Sequence, residues 1–330
     1  MDRLHRRSLL RAGVGMAGLL AAASDGGAQA ALPQGLVRIL VGFPPGGGTD
    51  VMGRTIAERL RQRGRLRNIV VENRAGASGT LACEALKHAA PDGTTLLFAP
   101  SASTVQPVLT FRRLPFDPRT DFAPIALTGT VQTVYVVAPH LPLRSFGEYV
   151  DWVRADRRRG NFGSTALGST THFFGLQLAA AFGIELEPVG YRGAAPLVSD
   201  LAAGHIAAGC GGLSDFLSHH EAGKLRILIA SGGRRAASAP GIPTIAELGH
   251  PDRASVGFYG FFAPAGTPVP VVEALNAELA AATLDPEVKA QLLALGLEPE
   301  ASTPAALGRL LAEDIERWRP VVEASGFKVD

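Results

Sequence analysis

The feature that most constrains the fold is an alternation of short apolar runs with amphipathic helical runs. After the apolar run at residues 36–43 (LVRILVGF), Met52, Ile56 and Leu60 repeat on one face at helical spacing. Further short runs follow at residues 68–72, 94–100, 133–139, 186–191, 205–210 and 225–231. Strands that alternate with helices in this way are typical of largely parallel sheets with helices on both faces. The sequence therefore predicts an α/β fold.

Two stretches without helical periodicity divide the chain, at residues 126–133 (ALTGTVQT) and 250–256 (HPDRASV). We interpret them as the places where the chain crosses between two lobes. The first lobe would hold residues 35–130 and 255–330, and the second lobe residues 131–254. Two crossings make a hinge, and a ligand is then expected between the lobes at the carboxyl ends of the strands.

The first thirty residues have the pattern of an export signal. Residues 1–11 are basic, residues 12–23 are uncharged, and the small residues of AQA end at Ala30. The uncharged run is too short to span a bilayer. Arg6 and Arg7, followed by SLLR, also resemble a twin-arginine signal, and an ordinary secretory signal with two adjacent arginines is the alternative. We predict a periplasmic protein whose signal is cleaved near Ala30.

The charge of the chain argues against nucleic acid as a partner. Residues 1–30 hold four arginines and two aspartates, so 28 of the 32 basic and 28 of the 30 acidic residues remain after cleavage. A net charge near zero does not suit a polyanion. Cys83 and Cys210 fall in different predicted lobes, and we expect two free, mostly buried thiols. No Cys or His spacing suits a metal, and we predict a monomer without a cofactor.

The turn FPPGGGTD at residues 43–50 is a candidate anion site. Gly46, Gly47 and Gly48 let the backbone approach a ligand closely. Thr49 or Asp50 then caps the next helix, whose N-terminus favours a carboxylate or a phosphate. Asp50 suits a cap better than a catalyst. The turn is neither a dinucleotide fingerprint nor a P-loop, because no Lys-Ser/Thr pair follows the glycines.

A second turn, NFGSTALGSTTH at residues 161–172, supplies hydroxyl and backbone N–H groups before an apolar helix. It predicts another anion pocket. His172 has two interpretations: hydrogen bonding to a backbone neighbour, or contact with the ligand. Catalysis by Ser169 with His172 as base is disfavoured, because no G-x-S-x-G elbow is present.

Eight segments occur in the order seen in the Bug/TctC family, and the chain resembles that family over nearly its whole length after the signal. The segments are FPPGGGTD, VVENRAGASGT, APDGTTLLFAP, GSTALGSTTH, GYRGAAPLVSDLAAGHI, AGKLRILIASGGRR, PGIPTIAELG and GFFAPAGTP. The family consists of periplasmic solute-binding proteins associated with tripartite tricarboxylate transporters. The resemblance implies a type II periplasmic-binding-protein fold with mixed, largely parallel sheets. Its two lobes would close around a small carboxylate.

The resemblance also implies which residues contact the ligand. In the first lobe these are Phe43, Pro44, Pro45, Gly46, Gly47, Gly48, Thr49 and Asp50, with Ser101 near the floor. In the second lobe they are Ser164, Thr165, Gly168, Ser169, Thr170 and His172, with Tyr191 and Gly193 at the cleft wall. Asn73 and residues 75–78 would rim the opening.

The chain departs from the family at residues 206–213, which include most of the predicted strand at residues 205–210. Family members often read VDVMFDNL where this chain reads IAAGCGGL, so Ala207 and Gly211 occupy the acidic positions. An acidic residue there can serve the distal part of a ligand, including an amino group. We hypothesise that this protein prefers a neutral or acidic-tailed carboxylate to an amino acid. Alternatively, Gly211 only widens the pocket.

These observations favour a carboxylate-binding protein that delivers its ligand to the membrane components of a tripartite transporter. A protein that presents the ligand to a membrane sensor would have the same fold and cleft. An α/β enzyme is disfavoured, because these motifs contain no nucleophile–base pair and no close pair of carboxylates.

Overall fold

The computed structural model describes residues 32–329, so the predicted export signal lies outside the described residues. The strands are β1 (Val37–Val41), β2 (Ile69–Asn73), β3 (Thr95–Pro100), β4 (Phe122–Val131), β5 (Thr133–Val137), β6 (Asn161–Ser164), β7 (Glu187–Gly190), β8 (Ala208–Gly212), β9 (Arg226–Ala230), β10 (Gly257–Pro264) and β11 (Leu297–Pro299). The α-helices are α1 (Gly48–Arg63), α2 (Thr80–Lys87), α3 (Ser101–Thr104), α4 (Gln106–Thr110), α5 (Phe146–Ala155), α6 (Thr170–Phe182), α7 (Ala194–Ala203), α8 (Leu213–Glu221), α9 (Val269–Thr283), α10 (Pro286–Ala294) and α11 (Pro304–Ser325).

The strands form a six-stranded sheet and a five-stranded sheet. The six-stranded sheet has the order β11-β4-β10-β3-β1-β2, and β1 runs parallel to β2 and β3. Along β1, Ile39 and Val41 pack with Met52 of α1, while Leu40 packs with Cys83 of α2 on the opposite face. This alternation follows from the two-residue period of a strand. The predicted α/β fold with helices on both faces of the sheet is confirmed.

The five-stranded sheet has the order β7-β6-β8-β5-β9 and is also mixed. Strand β6 is parallel to β7 and β8, whereas β5 is antiparallel to β8 and β9. In the six-stranded sheet, β10 is antiparallel to β3 and β4. The sheets therefore contain more antiparallel pairing than the sequence predicts. Strands β4, β5 and β10 are antiparallel to their neighbours, and they flank the two connections between the sheets.

The chain passes between the sheets at Gln132 and again just before β10. Gln132 is buried between β4 and β5, and its side chain accepts the Gly232 N–H at 3.1 Å and donates to the Arg234 carbonyl at 2.8 Å. Near the second connection, the Ser231 hydroxyl donates to the Ser255 carbonyl at 2.7 Å. The predicted connecting stretch at residues 126–133 is mostly strand β4, which explains its lack of helical periodicity. The hinge at these points stays a prediction.

The two cysteines lie in separate hydrophobic cores. Cys83 packs against the six-stranded sheet and Cys210 lies within the five-stranded sheet, and both are buried and unpaired. Burial raises the pKa of both thiols, which keeps them protonated. Within residues 32–329, no helix has the length and hydrophobicity that a membrane crossing requires.

The core of the five-stranded sheet contains a pair of tyrosines that share one hydrogen bond. Tyr135 of β5 and Tyr149 of α5 are fully buried, and their hydroxyl oxygens lie 2.7 Å apart. Burial raises the pKa of Tyr149 to about 12, so both hydroxyls stay neutral. Each hydroxyl can be buried here because the other one is its hydrogen-bond partner.

We expect Tyr149→Phe to lower the free energy of unfolding by about 1–3 kcal/mol, because it leaves the Tyr135 hydroxyl buried without its partner. The double variant Tyr135→Phe/Tyr149→Phe should be less destabilised than the sum of the two single variants. Urea unfolding of all four proteins measures the coupling. Additive single effects would contradict this account.

Candidate functional site

A cavity lies between the two sheets, where helices begin after the carboxyl ends of strands. The turn before α1 follows β1, α3 follows β3, the turn before α6 follows β6, and α8 follows β8. The first N–H groups of a helix have no partner within the helix, so each start presents donors to the cavity. The predicted residues that line this inner cavity are Phe43, Pro44, Pro45, Gly47, Gly48, Thr49, Ser101, Thr165, Ser169, Thr170 and Gly193.

Asp50 stabilises the turn before α1 through hydrogen bonds to its carboxylate. Its carboxylate accepts the Gly46 N–H at 2.9 Å, the Asn73 amide at 2.8 Å and the Arg54 guanidinium at 2.9 Å. Burial alone would raise the pKa of Asp50, but these hydrogen bonds outweigh burial and lower it. Gly46 has φ +84°, a conformation that other residues rarely adopt. Asp50, Gly46 and Asn73 therefore shape the turn without lining the inner cavity.

The turn before α6 contains a network of hydroxyl groups. Ser169 caps the helix by accepting the Thr171 N–H at 3.3 Å, and its hydroxyl donates to the Ala166 carbonyl at 2.7 Å. The Thr171 hydroxyl lies 2.9 Å from the hydroxyls of both Ser164 and Ser169. Ser169 and Thr171 line the inner cavity, whereas Ser164 lies behind them. The network fixes the positions of the Ser169 and Thr171 hydroxyls beside the cavity.

His172 lies away from the cavity lining and packs against Phe327, in the chain that follows α11. Its Nδ1 accepts the Gly168 N–H at 3.2 Å, and its ring contacts Phe173 and Phe327 with centroids 4.9 and 4.7 Å apart. Burial lowers the pKa of His172 to about 4, so the ring is neutral near pH 7. The geometry supports the first of its two interpretations, a histidine satisfied by a backbone neighbour.

Two further predicted residues, Tyr191 and Gly211, do not line the inner cavity. The Tyr191 hydroxyl donates to Asp200 at 2.8 Å, and the ring lines an adjoining outer cavity. Gly211 is buried, and a Cβ there would lie 2.5 Å from the Phe216 ring. The glycine therefore makes room for Phe216 and does not widen the inner cavity.

The predicted rim at residues 75–78 lines the outer cavity. Ala77 and Ser78 have φ values of +45° and +57°, which are uncommon for residues with a Cβ. The Ser78 hydroxyl donates to the Leu167 carbonyl at 3.1 Å. This hydrogen bond joins the rim to the turn before α6 and holds part of the strained backbone in place.

Sequence reasoning missed several residues of the inner cavity. They are Pro100, Ala102, Val131, Thr133, Ala166, Thr171, Arg192, Ala194, Ala195, Pro196, Gly212, Asp215, Gly257 and Tyr259. The Tyr259 hydroxyl lies 3.1 Å from the Thr49 hydroxyl, although the two residues are 210 positions apart in the chain. Asp215 was missed because helix α8 was not predicted. The spacing of Leu213, Phe216 and Leu217 is the signal that could have found it.

Asp215 connects the two sheets across the cavity. Its carboxylate accepts the Gly212 N–H at 3.1 Å, within its own helix start, and also the Gly48 N–H at the start of α1. Burial raises the pKa of Asp215 to about 6, although these two N–H groups act in the opposite direction. A Cβ on Gly48 would lie 2.9 Å from Oγ and 3.0 Å from Cβ of Ser214. The absence of a side chain at Gly48 therefore permits this approach.

The chain matches a known protein family and curated relatives over most of its length. The TctC family, described as "Tripartite tricarboxylate transporter family receptor", matches residues 52–327. The chain is 32% identical to Protein BugT of Bordetella pertussis, with 89% of this chain and 90% of that protein covered. It is 33% identical to the UPF0065 protein in the tcbD-tcbE intergenic region of Pseudomonas sp. strain P51, with 88% and 87% covered.

Solved structures of bacterial binding proteins share the fold. The structure described as "R. palustris Rpa4515 with adipate" is similar with a TM-score of 0.85 and 31% identity, covering 90% of this chain and 99% of that chain. MatC of Rhodopseudomonas palustris with bound malate has a TM-score of 0.79 and 29% identity, covering 88% and 100%. The periplasmic binding protein BugD has a TM-score of 0.83 and 27% identity, covering 90% and 99%.

The contact at Gly48 generates a test of how the two sheets approach each other. We expect Gly48→Ala to disfavour the present arrangement by about 1–3 kcal/mol, because the new methyl group overlaps Ser214. Gly47→Ala is the matched control, since its Cβ would meet only the Pro44 carbonyl at 3.7 Å and its φ is −76°. Small-angle X-ray scattering should give a larger radius of gyration for Gly48→Ala alone. Equal radii in both variants would contradict the overlap.

Proposed function

The chain belongs to the TctC family of tripartite tricarboxylate transporter receptors, and from this premise we propose that it captures a small carboxylate for a transporter of that class. The observation that carries the proposal is the convergence of the α1 and α6 N-termini on one inner cavity. Helix N-termini favour anions through unpaired N–H groups and the helix dipole. Two such starts on opposite sheets suit a ligand that is held from both sides.

The grip would consist of backbone N–H and hydroxyl groups, with little contribution from cations. Gly47 and Thr49 would supply it from the six-stranded sheet, and Thr170 and Thr171 from the five-stranded sheet, with the Ser169 hydroxyl positioning Thr171. Each hydrogen bond to a carboxylate contributes about 1.5–3 kcal/mol. A few such bonds support micromolar affinity after the ordering of the chain is subtracted. A ligand that touches both lobes stabilises the closed form by population shift.

We place the mature protein in the periplasm, and we propose that the ligand belongs to the class of small aliphatic acids. The sequence pattern of residues 1–30 and the periplasmic relatives support the location. Adipate and malate in two similar structures support the ligand class. The membrane partner follows from the family description alone.

The proposed function needs no catalysis. The Ser169 hydroxyl donates to the Ala166 carbonyl, and His172 Nδ1 accepts the Gly168 N–H. Neither group is therefore arranged as the nucleophile–base pair that an acyl-transfer enzyme requires. We propose binding without turnover.

A thermal-shift screen of mono-, di- and tricarboxylates and aromatic acids tests the proposal. A ligand at about 100 times its dissociation constant should stabilise the protein by about 2.7 kcal/mol. Ser169→Ala and Gly47→Val should each reduce the shift, because they remove a hydroxyl and obstruct the turn before α1. Ser218→Ala, at an exposed position of α8, is the control. Unchanged shifts in both site variants would count against the assigned grip.

A further inference from the structure

Two charged side chains line the inner cavity, one acidic and one basic. Among the described residues that line it, only Asp215 and Arg192 carry a charge. Arg192 is exposed and also lines the outer cavity. The Asp215 carboxyl group is enclosed between the starts of α8 and α1, and within residues 32–329 it has no ion-pair partner. The inner cavity therefore presents an acid beside the starts of α8 and α1.

The neighbours of Asp215 do not neutralise its charge. Asp50 on α1 is turned away, toward Arg54 and Asn73. Tyr259 on β10 lies near enough that the Asp215 charge, after burial, raises the pKa of its hydroxyl. At the other end of α8, burial and Lys224 lower the pKa of His219. Arg192 lines the same cavity without pairing to the carboxyl group.

The Asp215 carboxylate retains the capacity to accept a hydrogen bond from a ligand. Its observed donors are two backbone N–H groups, from Gly212 and Gly48. The two oxygens of a carboxylate offer about four acceptor positions, and an ionised carboxylate donates none. A donor on the ligand would add a charge-assisted hydrogen bond. A second carboxylate would bring like charges together in an enclosed space, which is strongly unfavourable.

We propose that Asp215 determines which second polar group of the ligand the inner cavity accepts: it selects a hydroxyl or ammonium group and disfavours a second carboxylate. This inference rests on the proposed function, because it assumes that one carboxylate of the ligand is held in the inner cavity. It also reverses the sequence-based hypothesis of a neutral or acidic-tailed ligand. Ala207 and Gly211 lack the acid, but Asp215 returns one to the cavity from the first turn of α8.

The selection should depend on pH. The pKa of Asp215 is raised to about 6 by burial, so the group is mostly ionised near neutrality. As the pH falls through this value, the carboxyl group gains a proton, loses its charge and becomes a hydrogen-bond donor. Discrimination against a second carboxylate should therefore weaken in acid.

Isothermal titration with acids of equal length and different distal groups tests the proposal. Butyrate, 4-hydroxybutyrate, 4-aminobutyrate and succinate form one series, and the corresponding six-carbon acids, ending in adipate, form a second. Near neutral pH, the wild-type protein should bind the hydroxy or amino acid at least about tenfold more tightly than the dicarboxylate of that length. Asp215→Asn should reverse this order, since the amide keeps an acceptor for Gly212 but carries no charge.

Two controls separate the charge of Asp215 from its role in the fold. Glu221→Gln removes the same charge from the exposed last residue of α8 and should leave the order unchanged. Asp215→Ser also keeps an acceptor in the first turn of α8 without a charge, and it replaces Asp215→Asn if circular dichroism shows that the amide variant is unfolded. Repeating the titrations near pH 5 should strengthen dicarboxylate binding more in the wild type than in Asp215→Asn. Protonation of the ligand itself affects both proteins equally.

The outcomes distinguish the inference from the proposed function. If carboxylates bind but wild type and Asp215→Asn rank them identically, the specificity role is overturned and the proposed function stands. A wild-type preference for the dicarboxylates near neutral pH would also overturn the specificity role and leave the proposed function standing. If no acid of either series or of the thermal-shift screen binds to wild type or variant, both proposals fail.

Discussion

The site depends on the backbone N–H groups at the starts of helices that meet between two sheets, because these groups have no partner within their own helix. Each of these helices follows the carboxyl end of a strand, so their positive ends converge on the inner cavity, where Arg192 is the one basic side chain among the described lining residues. The turn before α1 has its shape because Asp50 binds Gly46, Arg54 and Asn73 behind it. The turn before α6 has its shape because the hydroxyls of Ser169 and Thr171 satisfy each other. Contacts within the chain therefore shape both turns.

Asp215 introduces the opposite charge into the same arrangement. Its carboxylate occupies a place where the starts of α1 and α8 both direct N–H groups. These donors compensate the negative charge only in part, since burial still raises the pKa of the carboxyl group to about 6. The cavity thus combines donors suited to one carboxylate with an acid suited to a donor. Such a combination favours ligands whose two ends differ.

Much of the fold could be predicted from the pattern of apolar residues. The predicted helical face with Met52 is the face of α1 that packs in one core with Ile39 of β1. Strand β4 and helix α8 escaped prediction, for different reasons. The buried, nearly continuous apolar run of β4 has no alternation to distinguish it from a connection. Helix α8 is short, and its start lies among glycines that suggested only a turn.

By itself, the sequence determined the α/β fold through its local periodicity and the family through the order of eight segments. Glycine placement marked the two turns that we propose to hold a carboxylate, because such signals lie in consecutive residues. Only the tertiary structure decided which of those residues reach the cavity. It placed His172 and Gly211 outside the cavity lining and Thr49 beside Tyr259. It also placed Asp215 against Gly48. These contacts join distant parts of the chain, and their existence depends on how two sheets pack, which no local pattern records.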